Sequence, residues 1–225
     1  MDLKVIASFL VDFGRGYLIF CLFLAVLFFI KVDGLRKSFV FYLTIMAFTE
    51  FISNYVGLTF GSNHIILPIY CLVELSFFFY LFEKYLFKKR HFVATVFGTI
   101  GLAYIAFEFS YNFIYHHVSP AEYQPYAKVV DNFVIIIFSL TYLLEKMTTY
   151  NESRWDNFSF NIGLLIYFTL STIFYLPFNF LVNETTGLKF YFWISNVILI
   201  YAFYTFLITE MYKNAFKNRR LVQVR

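Results

Sequence analysis

Residues 66–87 read ILPIYCLVELSFFFYLFEKYLF, and from Ile66 to Phe82 the only charged residue is Glu74. Roughly 20 apolar residues cross the ~30 Å hydrocarbon core of a bilayer as a helix, and this run has that length. The preceding run, 38–60, reads SFVFYLTIMAFTEFISNYVGLTF and holds Glu50 at a similarly central place. An acid at such depth costs about 2.5–3.5 kcal/mol on insertion scales, so it faces the bundle interior and calls for a cation, a proton or a ligand. The two runs therefore state both the fold and the question about function.

Composition extends the reading to the whole chain. Of 225 residues, 60% are hydrophobic, 24% aromatic and only 14% charged, with 34 Phe and 19 Tyr; mean hydropathy is +0.68. A soluble domain carries about a quarter charged residues. So many aromatic side chains exceed what one water-soluble core can hide, and a lipid bilayer is the expected surrounding. Cys21 and Cys71 both fall inside apolar runs, as soft core fillers do.

Seven runs have spanning length: 9–30, 38–60, 65–87, 91–113, 127–147, 158–182 and 189–211. Backbone groups in lipid must be satisfied internally, so these are helices. The connections are short apart from 114–126 and 148–157, which predicts one all-α transmembrane bundle over 1–225, ending in a basic tail at 212–225. Lys31, Arg36 and Lys37 follow the first run, and Lys84, Lys88, Lys89 and Arg90 end the third. Lys146 and Arg154 follow the fifth, and Lys213, Lys217, Arg219, Arg220 and Arg225 follow the seventh. The other ends hold only Lys4, Arg15, Lys128 and Lys189. This asymmetry predicts an outside N-terminus and a cytoplasmic C-terminus. It also accounts for the formal charge of +4 without nucleic acid. The first run is expected to stay in place, since its positive cluster follows the apolar stretch and no small-residue cleavage site appears.

With directions assigned, the polar residues gather in the outer half. Glu50 and Asn54 lie on the second span, and Glu74 lies just outside the middle of the third. Asp12 and Arg15 share a face near the outer end of the first, and Glu108 and Tyr111 repeat that spacing on the fourth. Asp131 and Asn132 open the fifth, Thr172, Tyr175 and Asn179 stripe the sixth beside Pro177, and Trp193 and Asn196 stand on the seventh. Pro177 frees the carbonyl of Ile173 and is a kink candidate. If the second and third helices form an antiparallel hairpin, Glu50 and Glu74 can share a proton, with Arg15 as the one strong cation in reach. The expectation is an outward-opening acidic pocket lined by Asp12, Arg15, Glu50, Asn54, Glu74, Glu108, Asp131 and Asn196. Interhelical hydrogen bonding without a ligand is the competing explanation of the same residues.

Standard catalytic signatures (HExxH, GxSxG, P-loop, GxGxxG, CxxC) are missing. His116 and His117, with Glu122 or His64, do not match usual metal-ligand spacing, so neither metal nor cofactor is expected. Asn183-Glu184-Thr185 is a glycosylation sequon, meaningful only in a eukaryotic secretory setting. A retinal protein needs a lysine deep in the seventh helix. Residues 189–211 have only Lys189 at the outer end, which speaks against a retinal pigment. The third span is slightly similar to carotenoid-cyclase membrane proteins, but the doubled acid after its proline is missing. Val11-Asp12 and Val130-Asp131 form a faint internal echo of the kind a repeated transporter would carry.

Ile69, Tyr70 and Glu74 form an I-Y-x-x-x-E stretch. Phe192, Trp193, Ile194 and Asn196 form F-W-I-x-[NS], followed by Leu199, Ile200 and Tyr201. In these motifs the chain resembles small seven-span membrane proteins of bacteria. The resemblance implies a seven-helix fold in the cytoplasmic membrane and a role in sensing or signalling, in some cases beside histidine kinases; it brings no site residues. The leading functional expectation is a receptor-like protein that detects a small ligand, ion or lipid and signals to a separate cytoplasmic protein. A proton- or cation-coupled transporter using Glu50 and Glu74 is the second. An intramembrane lipid or isoprenoid enzyme with those acids as proton donors is the third.

Overall fold

Seven apolar runs become seven helices. The computed structural model describes residues 3–118, 123, 126–148, 157–181 and 188–223, and among them the chain is all-helical with no strand. The helices are α1 (Leu3–Phe28), α2 (Gly34–Phe60), α3 (Ile66–Leu81), α4 (Phe92–Phe109), α5 (Tyr126–Thr148), α6 (Phe158–Leu181) and α7 (Leu188–Gln223). A 3₁₀ turn, Phe29–Lys31, extends α1, and π-helical turns extend α3 (Phe82–Leu86) and α4 (Ser110–Tyr115). Glu122, Arg154, Arg225 and the Asn183–Thr185 sequon lie outside the described residues, as do the side chains of Lys4, Asn179, Lys189, Arg219 and Arg220.

Each boundary has a local cause. Asp33 caps α2, its carboxylate accepting from Arg36 N at 2.9 Å. Gly61 ends α2 with φ +76°, a left-handed geometry that glycine adopts without strain, and its N–H bonds Gly57 O at 3.0 Å. Pro68 falls in the first turn of α3, where the missing N–H costs nothing. The helix α6 runs on past Pro177 to Leu181. The π turns close with bonds reaching back five residues, from Phe87 N to Phe82 O at 2.9 Å and from His116 N to Tyr111 O at 3.1 Å. The stretch read from sequence as a tail starting at 212 is, through Gln223, the continuation of α7. Met211 and Ala215, one turn apart, are buried there and keep the helix packed on the bundle.

All seven helices are long and apolar enough to cross a membrane. Their outward surface carries large, mostly exposed apolar side chains, among them Ile30, Phe51, Leu58, Phe92 and Leu144. Water would not tolerate so continuous an apolar coat. The chain is accordingly a multi-pass integral membrane protein.

Consecutive helices pack side by side, α1 closes against α7, and α5 also packs against α3. Half of the apolar window of α5 is buried, more than in any other span, which makes it the central post. Close approach of α4 to this post depends on Gly101, where a Cβ would meet Val134 Cγ2 at 2.9 Å. The middle of the bundle is aromatic. Tyr167 stacks on Phe203 with centroids 3.9 Å apart, and Phe168 meets Phe78 edge-on at 5.1 Å.

The end of the bundle where α7 finishes, here the carboxyl face, is held by polar clasps. Arg36 donates to Asp33 Oδ2 (2.9 Å), Asn157 Oδ1 (2.5 Å) and Glu210 Oε2 (3.5 Å). Ser159 donates to Glu210 Oε1 at 3.3 Å, Asn214 donates to Asp33 Oδ2 at 3.0 Å, and Lys213 stands 3.6 Å from Glu210. A second clasp joins α5 to the α3–α4 turn. Glu145 accepts from Lys88 N at 3.0 Å and pairs with His91 Nε2 at 2.6 Å.

Candidate functional site

Near the opposite, amino face, a cavity of about 480 Å³ opens between the helices. Counting residues from the helix ends places Asn63, His64 and Trp193 at its top and Met46, Tyr167 and Tyr204 at its bottom. Its volume lies in the range of small-molecule sites, and its lining is mainly aromatic and aliphatic with a few polar groups, as such sites require.

One wall is made by α3 and α5. Tyr70 and Glu74 stand four apart on α3, and Lys128 and Asp131 three apart on α5, so each pair shares a helix face. Lys128 donates to Glu74 Oε2 and, at 2.8 Å, to Asp131 Oδ2. Glu74 Oε1 accepts from Tyr70 (2.9 Å) and from Tyr42 of α2 (2.6 Å). The ammonium of Lys128 also lies 5.0 Å from the Tyr70 ring centroid and 5.7 Å from that of Phe168. Glu74 and Asp131 are 0% exposed and Lys128 only 2%. Lys128 and Tyr70 face the cavity, while the two carboxylates sit behind them. In this cluster two carboxylates share one ammonium, so with all three ionised a charge of −1 is enclosed within the bundle.

A second wall is made by α1 and α2. Arg15 bonds Glu50 Oε1 at 3.2 Å and Asp12 Oδ1 at 2.9 Å. The arithmetic repeats, two acids on one base, but here water competes. The side chains of Arg15, Glu50 and Asp12 are 33%, 41% and 72% exposed. From α7 come Trp193, Asn196 and Tyr201, whose hydroxyl donates to Leu10 O.

The eight residues singled out from sequence therefore fall in different places. Arg15, Glu50 and Asn196 line the cavity. Glu74 and Asp131 back it through Lys128. Asp12 touches it only by way of Arg15, and Asn54 is half-buried on α2 outside the lining. Glu108 belongs to a separate cavity of about 370 Å³ between α4 and the loop that follows it. There Tyr123 donates to Glu108. Burial first, and the Glu108 carboxylate second, push the Tyr123 phenol well above its usual range, so it remains the donor. The hairpin expected to join Glu50 to Glu74 instead gives each acid its own base, Arg15 and Lys128 respectively.

Lys128 is the main residue that sequence reasoning missed. Counted as a marker of the outer end, it is the hub of the buried cluster. The signal was present in its i, i+3 spacing to Asp131, two residues inside the fifth span. Tyr70 was likewise visible one turn before Glu74. Tyr42, Tyr167 and Tyr204 carry no local signal, because their roles depend on how separate helices rotate toward one another.

Among the described residues no three His, Cys, Asp or Glu side chains come together as a metal site, and Cys21 and Cys71 are free and buried. Comparison with protein families, curated proteins and solved structures yields no match to this chain. What the site does is read from its own residues.

Proposed function

We propose that the protein is a receptor-like sensor of a bacterial cytoplasmic membrane. In this reading the N-terminus and the cavity face outward and a small ligand enters the cavity. The carboxyl face, with Lys31, Lys37, Lys88 to Arg90 and Lys213, meets the cytoplasm and a separate signalling protein there. One observation carries the proposal: a cavity of ligand size whose wall is the most deeply buried ionic cluster described, on the helix that forms the central post. Intramembrane ions are costly, and in membrane bundles they mark functional pathways more often than they act as fasteners.

The same helix offers a route for the signal. Lys128 and Asp131 stand near one end of α5, and Glu145 stands near the other, holding Lys88 and His91 of the basic turn. Glu145 lies seventeen positions after Lys128, about 25 Å along a helix. A ligand that shifts Lys128 relative to Glu74 changes the packing of α5 on α3, and the Glu145 clasp carries that change to the cytoplasmic turn. Sensing then requires two arrangements of α5 that differ in ligand affinity.

The stoichiometry of the Glu74–Lys128–Asp131 cluster favours a second reading, a proton-coupled carrier, since two carboxylates on one ammonium leave room for one proton. Purified full-length protein separates the two. A sensor shows a ligand-dependent rise in thermal stability that is lost in Trp193→Leu, and no solute or proton flux in proteoliposomes. Flux driven by a pH gradient and abolished in Glu74→Gln would replace the sensor by the carrier.

A further inference from the structure

The charge balance of the cavity selects a class of ligand, and the inference rests on the ligand-binding reading above. Four carboxylates, Asp12, Glu50, Glu74 and Asp131, are shared by two bases, Arg15 and Lys128. With His64 neutral and every acid ionised, the walls therefore carry a formal charge of −2, and one proton held within the Lys128 cluster leaves −1. The clasp on the carboxyl face differs: Asp33 and Glu210 are matched by Arg36 and Lys213, two acids to two bases. The excess of acid seen in the cavity walls is thus absent from the Arg36 clasp.

A second, independent feature lies on the α7 wall. Asn196, only 6% exposed, has a side-chain oxygen with no hydrogen-bond partner among the described residues. An unanswered acceptor in a buried place is destabilising, and a ligand whose N–H reaches it removes that cost. The third feature is the lining itself. Tyr70, Tyr167, Trp193, Tyr201 and Tyr204 line the space with aromatic rings. The faces of aromatic rings attract weakly hydrated organic cations, Trp most strongly, whereas hard metal ions require a shell of oxygen ligands.

We infer that the cavity binds a small organic monocation, an alkyl- or arylalkyl-ammonium. Its charged end sits beside Glu50 and its apolar part lies against Trp193 and the tyrosines. Glu50 supplies the charge contact because it is the cavity-lining carboxylate; Glu74 and Asp131 stand behind Lys128 and act through the field alone. An anion of the same size would meet walls with acid in excess and find both bases already held.

Three isosteric probes test the inference on the full chain in detergent: phenethylammonium, 2-phenylethanol and phenylacetate. Binding is read by the fluorescence of Trp193 in a Trp155→Phe background and by thermal stability. The expected result is saturable binding of phenethylammonium at least tenfold tighter than either of the other two. Glu50→Gln is expected to weaken it about tenfold while leaving phenylethanol unchanged. Glu50 is partly exposed, so this variant keeps the fold, and an unaltered melting temperature without probe verifies that. Equal binding of the alcohol, tighter binding of phenylacetate, or a Glu50→Gln variant with unchanged ammonium affinity would overturn the cation assignment while leaving a ligand cavity in place. Binding of none of the three overturns it together with the cavity reading.

Discussion

Two buried ionic clusters sit at opposite ends of this bundle, and they differ in kind. On the carboxyl face, Arg36 is met by Asp33, Glu210 and Asn157, and the neighbouring Ser159, Asn214 and Lys213 complete the set. Charges balance and none of these residues lines either cavity described. Near the amino face, Lys128 holds Glu74 and Asp131 with an acid in excess, Asp131 Oδ1 has no hydrogen-bond partner among the described residues, and the lysine fronts open space. Both clusters tie three helices together or more. The difference teaches that a fastener balances the charge it gathers, although Arg36 Nε has no hydrogen-bond partner among the described residues, while a site leaves an acid over. A polar residue buried in a membrane bundle is therefore informative through its balance of partners more than through its depth.

The largest effect expected from breaking this contrast is at Lys128. Lys128→Met leaves two carboxylates enclosed without their cation, and removing one partner of a buried ionic group costs about 3–5 kcal/mol. The variant should show a strongly lowered melting temperature in detergent. Adding Glu74→Gln and Asp131→Asn to the same chain should restore most of it, because uncharged, hydrogen-bonding side chains of equal size then fill the site. If the triple variant stays as unstable as the single one, lost packing rather than unpaired charge explains the defect, and the cluster's excess charge loses its meaning.

A smaller effect is expected at the clasp. Arg36→Gln keeps a donor for Asn157 and Asp33, and Lys213 still stands near Glu210, so the loss should be about 2 kcal/mol. Thermal unfolding measures that loss, and titration of phenethylammonium against Trp193 fluorescence measures the rest. The prediction is a lower melting temperature with unchanged ammonium affinity. Altered affinity would mean that the two ends are coupled through the bundle at rest, and the fastener would have to be counted as part of the site.

The sequence carries the fold in a form that can be read directly, since apolar length and the lack of charge within it are local properties. That is why the seven runs lie within a few residues of the seven helices, except where α1 begins six residues earlier, at Leu3, and where α7 continues through a stretch whose lysines and arginines made it look like a tail. The site was only half legible. Glu50 and Glu74 stood out because an acid in an apolar run is an anomaly wherever the helix faces. Lys128 did not, because a lysine near a span end is ordinary there, and only the position of α3 across from α5 turns its side chain inward. Tyr42 and Tyr204 are two among 19 tyrosines. Nothing but helix rotation distinguishes a tyrosine that bonds Glu74 from one that meets lipid.

The smallest stability effect, and the sharpest use of the contrast, concerns Arg15. It repeats the two-acids-to-one-base pattern of Lys128 with a third of its side chain in contact with solvent. Exposed ion pairs contribute at most about 1 kcal/mol, since water and salt screen them. Arg15→Gln should therefore leave the melting temperature nearly unchanged, where Lys128→Met collapses it. In the cavity the same change removes one of the two positive charges and frees Glu50 from its 3.2 Å contact. Phenethylammonium should then bind several-fold more tightly, read by Trp193 fluorescence at low ionic strength, and the gain should shrink as salt is added. If affinity falls instead, Arg15 holds Glu50 in its binding orientation, and the pair acts as one positioned unit in place of a carboxylate competing with its own base.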